Sequence, residues 1–231
     1  MGFQKERFYI NPTNPEKKLP SVTTILGILD KPALMYWAVN CCCDYILQNM
    51  NVKSSIFDLV EEARKSWRTV QRQALDIGTK THEAIQVYLE TNKEPRIEDQ
   101  KVLTAFIAFL EWKEKNKLEV IECEKVVFGE NYAGTADLIC KLSGEITLID
   151  FKTSAKIYEE YIYQVSAYAK AYNYSKLIGN LPVKNIGILR VDKESGYPEY
   201  QNYSSGLEKY FQVFSKLVDF YWAKKEMKGG L

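Results

Sequence analysis

The spacing of hydrophobic residues changes near residue 118 of this 231-residue chain. Before that point, apolar side chains recur every three or four positions, which is typical of helices with one buried face. After it, apolar and polar residues alternate, which is typical of strands. The pattern therefore predicts a single domain, with a mainly helical N-terminal region over residues 1–117 and an α/β core over residues 118–231.

The N-terminal region carries several helix signals. Pro32 suits the first turn of a helix, and Ser21 suits a position just before one. Gly78 is expected to end the pattern of a long helix, because glycine has a low helix propensity. The predicted helices cover residues 21–29, 32–46, 55–74, 81–91 and 99–115.

The second part of the chain predicts three strands in succession, then a helix, a strand and a helix. Ser143 and Gly144 mark a tight turn between the second and third strands. This order indicates an α/β core around a central mixed β-sheet flanked by helices. The predicted strands are 120–128, 135–142, 146–153, 183–191 and a short one at 200–203, and the helices are 157–176 and 207–225.

The predicted third strand carries two charged residues, Asp150 and Lys152, within an apolar stretch. Side chains two positions apart on a strand share a face, so these two are expected to be neighbours. Burying a charge is costly unless the charge is paired. Taken alone, Asp-x-Lys is therefore explained by an ordinary buried ion pair, and short motifs often occur by chance.

Asp137, on the preceding strand, favours a different interpretation. If the two strands pair as a hairpin, Asp137 lies beside Asp150, and the two carboxylates repel each other unless a cation lies between them. Mg²⁺ prefers oxygen ligands, polarises phosphate oxygens and lowers the pKa of bound water. Lys152 can stabilise the negative charge that develops during the reaction. The three residues together indicate hydrolysis of phosphodiesters.

Four segments of the chain resemble the motifs of the PD-(D/E)XK nuclease superfamily, in its RecB-like or phage-type exonuclease branch. They occur in the expected order and the resemblance covers roughly residues 76–178. The residue before Asp137 is Ala136, whereas many members of the branch have proline there. The segments are IGTKTHEAIQVYL, YAGTADLI, LIDFKTS and YQVSAYAKAY.

The resemblance implies roles for residues outside the central group. His82, the only histidine, is implied to be a metal ligand, although a lone helical histidine usually has a structural or solvent-facing role. Gln164 and Tyr168 lie four positions apart on one helical face, and the glutamine is implied to lie near the substrate phosphate. A strand glutamate near the metal is implied as well; Glu124 is preferred and Glu122 is the alternative.

The resemblance also implies an overall function and fold. The fold would be restriction-endonuclease-like, and the enzyme would be a deoxyribonuclease dependent on Mg²⁺ or Mn²⁺, with a histidine ligand favouring Mn²⁺. It would be an exonuclease acting in DNA recombination, repair or phage replication; an endonuclease or an inactive nucleic-acid-binding module are the alternatives. The implied catalytic residues are Asp137, Asp150, Lys152, Gln164 and Tyr168, and the implied metal ligands are His82, Glu124, Asp137 and Asp150.

The expected partner is DNA, single- or double-stranded, with a recombination or replication protein as a further partner and a homo-oligomer left open. The net charge of +1 means that DNA contacts must come from a local patch. Lys65, Arg68 and Arg72 could form such a patch, but Glu61 and Glu62 beside them also fit an ordinary solvated helix face.

Composition limits the remaining possibilities. Hydrophobic residues make up 46% of the chain, which is enough for a substantial core, and no stretch is long enough to span a bilayer. We expect a cytoplasmic protein without a membrane partner. The five cysteines lack zinc-site spacing and are expected to be free and largely buried. No cysteine follows Cys140, so no iron–sulfur cluster is expected.

Overall fold

A computed structural model describes residues 6–52, 55–175, 182–227 and 229 of the chain. The chain forms two units: a larger one from the described residues of Met1–Ile28 and Thr81–Leu231, and a smaller one from those of Leu29–Lys80. The elements, in chain order, are β1 (Phe8–Asn11), β2 (Asn14–Pro20), α1 (Val22–Leu26), α2 (Pro32–Asn49), α3 (Ile56–Thr91), α4 (Gln100–Asn116), β3 (Glu119–Phe128), β4 (Ala133–Leu142), β5 (Glu145–Lys152), α5 (Glu159–Ser175), β6 (Asn185–Val191), β7 (Pro198–Asn202) and α6 (Leu207–Met227).

A five-stranded mixed sheet forms the centre of the larger unit, in the order β3-β4-β5-β6-β7. The pairs β3–β4, β4–β5 and β6–β7 are antiparallel, whereas β5 and β6 are parallel and are connected through α5. Ser143 and Gly144 link β4 to β5 with φ angles of 52° and 85°, as a two-residue hairpin turn requires. The predicted α/β class, mixed sheet and flanking helices are confirmed.

Helices cover both faces of this sheet. Successive side chains of a strand point to opposite faces, so neighbouring residues of β5 contact different helices. On β5, the ring of Phe151 packs against Phe109 of α4, with the ring centroids 5.6 Å apart. The next residue, Lys152, faces α5 instead, and its Nζ lies 4.8 Å from the ring centroid of Tyr161. Strand β5 is thus buried on both sides, which explains its long apolar run.

The hairpin of β1 and β2 was not predicted, since only helices were expected before residue 118. Its two strands pair antiparallel around a turn in which the backbone N–H and the hydroxyl of Thr13 donate to Asn11 Oδ1. Most of β2 is exposed, and only Leu19 and Pro20 at its end are buried. A ribbon with so few buried positions lacks the apolar alternation by which strands are found in sequence.

The predicted break at Gly78 is wrong, because α3 runs without interruption from Ile56 to Thr91. A glycine inside a helix costs about 1 kcal/mol relative to alanine, which a long helix with many other good helix formers can tolerate. The two helices predicted over 55–74 and 81–91 are therefore one. The helix predicted over 157–176 corresponds to α5, and its predicted end, Lys176, lies outside the described residues.

The five cysteines are free, but their expected burial is confirmed only for Cys140. Cys43 is exposed, and Cys41, Cys42 and Cys123 are half-buried. Three consecutive residues on a helix point about 100° apart, so Cys41 to Cys43 could not all face one core. Within the described ranges, none of the helices is both long and apolar enough to cross a bilayer.

Candidate metal centre

Two neighbouring strands bring Asp137 and Asp150 together. Leu138 of β4 pairs with Ile149 of β5, so the next positions along the two strands are Asp137 and Asp150. The backbone N–H of Phe151 donates to Asp137 Oδ2 over 2.7 Å, which holds this carboxylate across the end of β5. The hairpin arrangement predicted for the two aspartates is therefore present.

Glu124 joins them from β3 through an unusual backbone conformation. The β3–β4 register shifts by one residue between Val120 and Glu122, and beyond the shift Glu124 stands level with Asp137. Glu124 has a φ angle of 45°, in the left-handed region that costs a non-glycine residue roughly 1 to 2 kcal/mol. The alternative, Glu122, pairs instead with Lys125 Nζ at 3.0 Å.

His82 reaches the same place from α3, and its contacts define which ring nitrogen faces the carboxylates. Its Nε2 lies 3.1 Å from the backbone oxygen of Phe151. A carbonyl oxygen can only accept, so Nε2 carries the hydrogen. In the neutral ring this leaves the lone pair on Nδ1, which lies 3.6 Å from Asp137 Oδ1. A second hydrogen bond that fixes the tautomer in this way is typical of metal-ligating histidines.

The donor atoms of His82, Glu124 and Asp137 lie within 4.8 Å of one another. Ligand atoms held at about 2.1 Å from Mg²⁺ are separated by about 3 to 4.2 Å, so a small cation needs only slight side-chain movements here. One imidazole and two carboxylates suit Mg²⁺ or Mn²⁺. Asp150, the fourth expected ligand, is not part of this group in the described part of the chain.

Asp150 is completely buried and forms an ion pair with Lys152, whose Nζ contacts its Oδ2. Its other oxygen, Oδ1, has no hydrogen-bond partner among the described residues. Nearly all buried acceptors are hydrogen-bonded in native proteins. The orphaned oxygen therefore fits a site that holds a cation or a water molecule beside the ion pair.

The ionisable groups carry more negative than positive charge. With His82 neutral and all three carboxylates ionised, Glu124, Asp137 and Asp150 oppose the single positive charge of Lys152, which leaves a formal charge of about −2. Burial and the nearby Asp137 raise the pKa of Glu124 to about 7. Burial, opposed by Lys152, raises the pKa of Asp150 to about 6. A divalent cation would offset this excess.

His82 and Lys152 respond to the same charges. Burial acts to lower the pKa of each, but the carboxylates outweigh it: Asp137 raises the pKa of His82, and Asp150 together with Asp137 raises that of Lys152. The pKa of Asp137 is lowered, because His82 and Lys152 outweigh its burial. Lys152 thus stays protonated, and a cation at Nδ1 of His82 would compete with a proton for the lone pair of that nitrogen.

Gln164 and Tyr168 lie on the face of α5 that covers this end of the sheet. The side-chain nitrogen of Gln164 donates to the Tyr168 hydroxyl over 3.0 Å. The buried ring of Tyr168 occupies the space beside Gly134, where a Cβ atom would lie only 2.3 Å from the ring. The glycine of the GTAD segment is therefore what allows Tyr168 to pack against β4.

Several side chains at the centre were not predicted to be there. Tyr9 of β1 shares a 2.9 Å hydrogen bond with the hydroxyl of Thr135, two residues before Asp137. The guanidinium of Arg7 lies 4.9 Å from the Tyr9 ring centroid, and its charge acts to lower the pKa of Glu124. Arg7 and Tyr9 lie two positions apart, which is the spacing of side chains that share one face of a strand. This spacing could indicate a shared face only once the β1–β2 hairpin, which was not predicted, is known.

Lys65, Arg68 and Arg72, the basic residues considered for DNA binding, are exposed on the part of α3 that belongs to the smaller unit. Lys65 lies 4.0 Å from Glu61, and the guanidinium of Arg68 lies 5.4 Å from the ring centroid of Trp67. Both the DNA-binding and the solvated-face interpretation agree with these contacts, and the DNA-binding role stays a prediction.

Comparisons with known proteins add no family assignment. A scan against protein-family models found no match, and a search of curated proteins found none either.

Proposed function

We propose that the chain is a metal-dependent nuclease that hydrolyses phosphodiester bonds of DNA. One observation carries the proposal: the donor atoms of His82, Glu124 and Asp137 converge within 4.8 Å beside the buried pair of Asp150 and Lys152. Three carboxylates close together at a partly buried site repel one another, and keeping them ionised is unfavourable without a cation. A protonated lysine next to such a site suits a reaction in which negative charge develops on phosphate.

The centre combines metal ligands with a positive charge for the substrate. A divalent cation, when bound, draws charge from a phosphate oxygen and makes water easier to deprotonate. His82, Glu124 and Asp137 would hold it, and Asp150 Oδ1, which has no hydrogen-bond partner among the described residues, would be an acceptor for a water molecule bound beside it. Lys152 keeps its proton and donates a hydrogen bond to the phosphate as negative charge develops there.

Gln164 and Tyr168 are assigned to the positioning of the substrate. Their mutual hydrogen bond and the packing of Tyr168 on Gly134 fix both side chains beside β4. Gln164 is then available to the substrate phosphate, and Tyr168 supports it. In the reaction, the oxygen of water bonds to phosphorus and a proton of that water passes to solvent. The departing oxygen leaves with the electrons of the broken P–O bond and takes up a proton from solvent.

The finer assignment rests on the resemblance to the RecB-like branch of the PD-(D/E)XK nucleases. Its motifs carry Asp137, Asp150, Lys152 and Gln164, the residues that the fold gathers around β4 and β5. The mixed sheet flanked by helices is compatible with a restriction-endonuclease-like fold. On that basis we assign DNA as the substrate, Mg²⁺ or Mn²⁺ as the cofactor and digestion from an end as the mode.

Digestion of end-labelled linear DNA and covalently closed circular DNA tests this function. The purified protein is assayed with Mg²⁺, Mn²⁺ or EDTA, beside Asp137→Asn and a matched control, Asp219→Asn, which changes an exposed carboxylate. We expect cleavage of linear DNA alone, its loss in EDTA and in Asp137→Asn, and full activity in Asp219→Asn. Well-folded, metal-supplied protein that cleaves no substrate would overturn the proposal, and cleavage of circles would make the protein an endonuclease.

A further inference from the structure

A row of side chains, two tyrosines between two lysines, leads away from the candidate metal centre. Lys152 Nζ lies 4.8 Å from the ring centroid of Tyr161. The Tyr161 ring meets that of Tyr158 edge-on, with the centroids 5.6 Å apart. Lys156 Nζ completes the row, 5.3 Å from the Tyr158 ring centroid. The contacts are continuous, so whatever binds at Lys156 and Tyr158 is connected to the reacting centre through neighbouring side chains.

The local backbone keeps the outer part of the row in place. Lys156 and Tyr158 lie between the end of β5 and the start of α5, and the hydroxyl of Ser154 donates to the backbone oxygen of Lys156 over 2.9 Å. Lys156 is exposed, and Tyr158 is half-buried at the surface. Two acidic residues begin α5: Glu159 accepts a hydrogen bond from Tyr163 one turn further along, and the charge of Glu160 acts with burial to raise the pKa of Tyr161.

A surface that combines aromatic and basic side chains suits single-stranded nucleic acid. An unpaired base can stack on an aromatic ring, and the neighbouring phosphate can be neutralised by a lysine. In a duplex, the faces of the bases are covered by their neighbours and cannot reach a side chain beside a sheet. A row of this kind therefore distinguishes an unpaired strand from a paired one.

We propose that Lys156 and Tyr158 bind an unpaired DNA strand, with a base on Tyr158 and its phosphate at Lys156, and direct that strand to Lys152. This inference rests on the proposed nuclease function and adds to it the substrate class: single-stranded DNA, or the unpaired end of a duplex. Tyr161, between Lys152 and Tyr158, is a positioning residue that connects this surface to the centre.

Fluorescence anisotropy of labelled oligonucleotides tests the inference in EDTA, where no metal-dependent cleavage takes place. The same sequence is titrated as a single strand and as a blunt duplex, with wild type, Tyr158→Ala, Tyr158→Phe and Lys156→Ala. Tyr174→Ala is the matched control, because Tyr174 is an exposed tyrosine near the far end of α5, the helix that starts directly after Tyr158. A thermal melt of each variant establishes that it is folded.

We expect Tyr158→Ala to weaken single-strand binding about tenfold and to leave duplex binding unchanged, because one base loses its stacking partner. Tyr158→Phe and Tyr174→Ala should bind like wild type. Lys156→Ala should reduce the salt dependence of single-strand binding by about 0.7 in the logarithmic slope, which corresponds to one phosphate contact.

Equal affinities of wild type and Tyr158→Ala for the single strand would overturn the inference, and so would equal losses for strand and duplex. The nuclease function is tested separately, by cleavage with Mg²⁺ or Mn²⁺. A protein that cleaves DNA but shows no effect of Tyr158→Ala refutes the binding row alone. A protein that loses single-strand binding in Tyr158→Ala but never cleaves refutes the nuclease function alone.

Discussion

Among single residues, Glu124 and His82 owe their places at the candidate centre to different physical causes. Glu124 depends on the register of β3 and β4, which places it level with Asp137, and it adopts a left-handed backbone conformation there. His82 depends on the hydrogen bond from its Nε2 to a backbone oxygen of β5, which turns Nδ1 toward Asp137. Both were candidates through the resemblance to the nuclease branch, and the structure distinguishes Glu124, which joins the cluster, from Glu122, which pairs with Lys125.

Asp192 carries a pH dependence of stability at a distance from the centre. Burial acts to raise the pKa of its carboxyl, but the backbone N–H groups of Glu194 and Ser195 and the guanidinium of Arg190 outweigh it and lower the pKa to about 2. Because the folded pKa lies below the unfolded value, the carboxylate stabilises the fold above about pH 4. That stabilisation is lost as the pH falls toward 2.

We therefore expect Asp192→Asn to lower the free energy of unfolding at pH 7, on the order of 1 to 2 kcal/mol. The difference from wild type should shrink steadily between pH 4 and pH 2, where wild-type Asp192 takes up a proton. Urea titrations over this pH range measure it, with the exposed Asp219→Asn as the control. A difference that is the same at pH 2 and pH 7 would exclude the charge of Asp192 as its cause.

At the scale of elements, the sheet was predictable and its attachments were not. Strands β4, β5 and β6 are largely buried, so their apolar runs reveal them, and the Ser143–Gly144 turn fixes how β4 meets β5. Strand β3 has Val127 as its one buried residue and was found by its alternation of apolar and polar residues. The hairpin of β1 and β2 buries too few side chains to show a pattern. Its contact with β4, through Tyr9 and Thr135, is therefore visible only in the folded structure.

The packing of α5 on β4 gives a second prediction. Gly134→Ala places a methyl group where the Tyr168 ring lies, and both residues are buried, so we expect a loss of about 1 to 3 kcal/mol in stability. Tyr168→Ala should also destabilise the protein, by leaving a cavity. The double variant should lose less than the sum of the two, since the ring that clashes is then gone.

Chemical denaturation of the two single variants and the double variant, as a double-mutant cycle, measures this coupling. Strictly additive losses would contradict direct packing between Gly134 and Tyr168. The same variants should be impaired in cleavage, because the Tyr168 ring supports Gln164. Normal cleavage by a stably folded Tyr168→Ala would remove Tyr168 from the set of residues that position the substrate.

For the whole molecule, a net charge of +1 leaves DNA affinity to local groups of basic residues. Most of the predicted site residues lie on β4, β5 and α5, which follow one another in the sequence and are neighbours in the structure, so their grouping could be predicted. The predicted end of a helix at Gly78 is wrong, because the low helix propensity of one glycine does not interrupt α3. A remaining question at this scale is whether the exposed basic residues of α3 contact DNA, and measurements of DNA affinity decide it.

A triple change, Lys65→Ala with Arg68→Ala and Arg72→Ala, answers that question. If these exposed residues contact phosphates, duplex affinity should fall and the logarithmic salt slope should decrease by about 2 to 3, at about 0.9 for each contact. The control removes the same charge from α6: Lys209→Ala with Lys216→Ala and Lys224→Ala. Equal effects of the two triple variants would show that only net charge matters and that α3 has no DNA-binding face.

Binding of Mn²⁺ to the metal-free protein tests the central claim most directly. Isothermal titration at pH 7.5 compares wild type with His82→Ala, Glu124→Gln and Asp137→Asn, and with Asp219→Asn as the control for an unrelated carboxylate. We expect wild type and Asp219→Asn to bind Mn²⁺ with equal affinity, and each change at the centre to weaken binding at least tenfold. Binding that is equal in all five proteins, or absent from folded wild type, would contradict a metal centre formed by His82, Glu124 and Asp137.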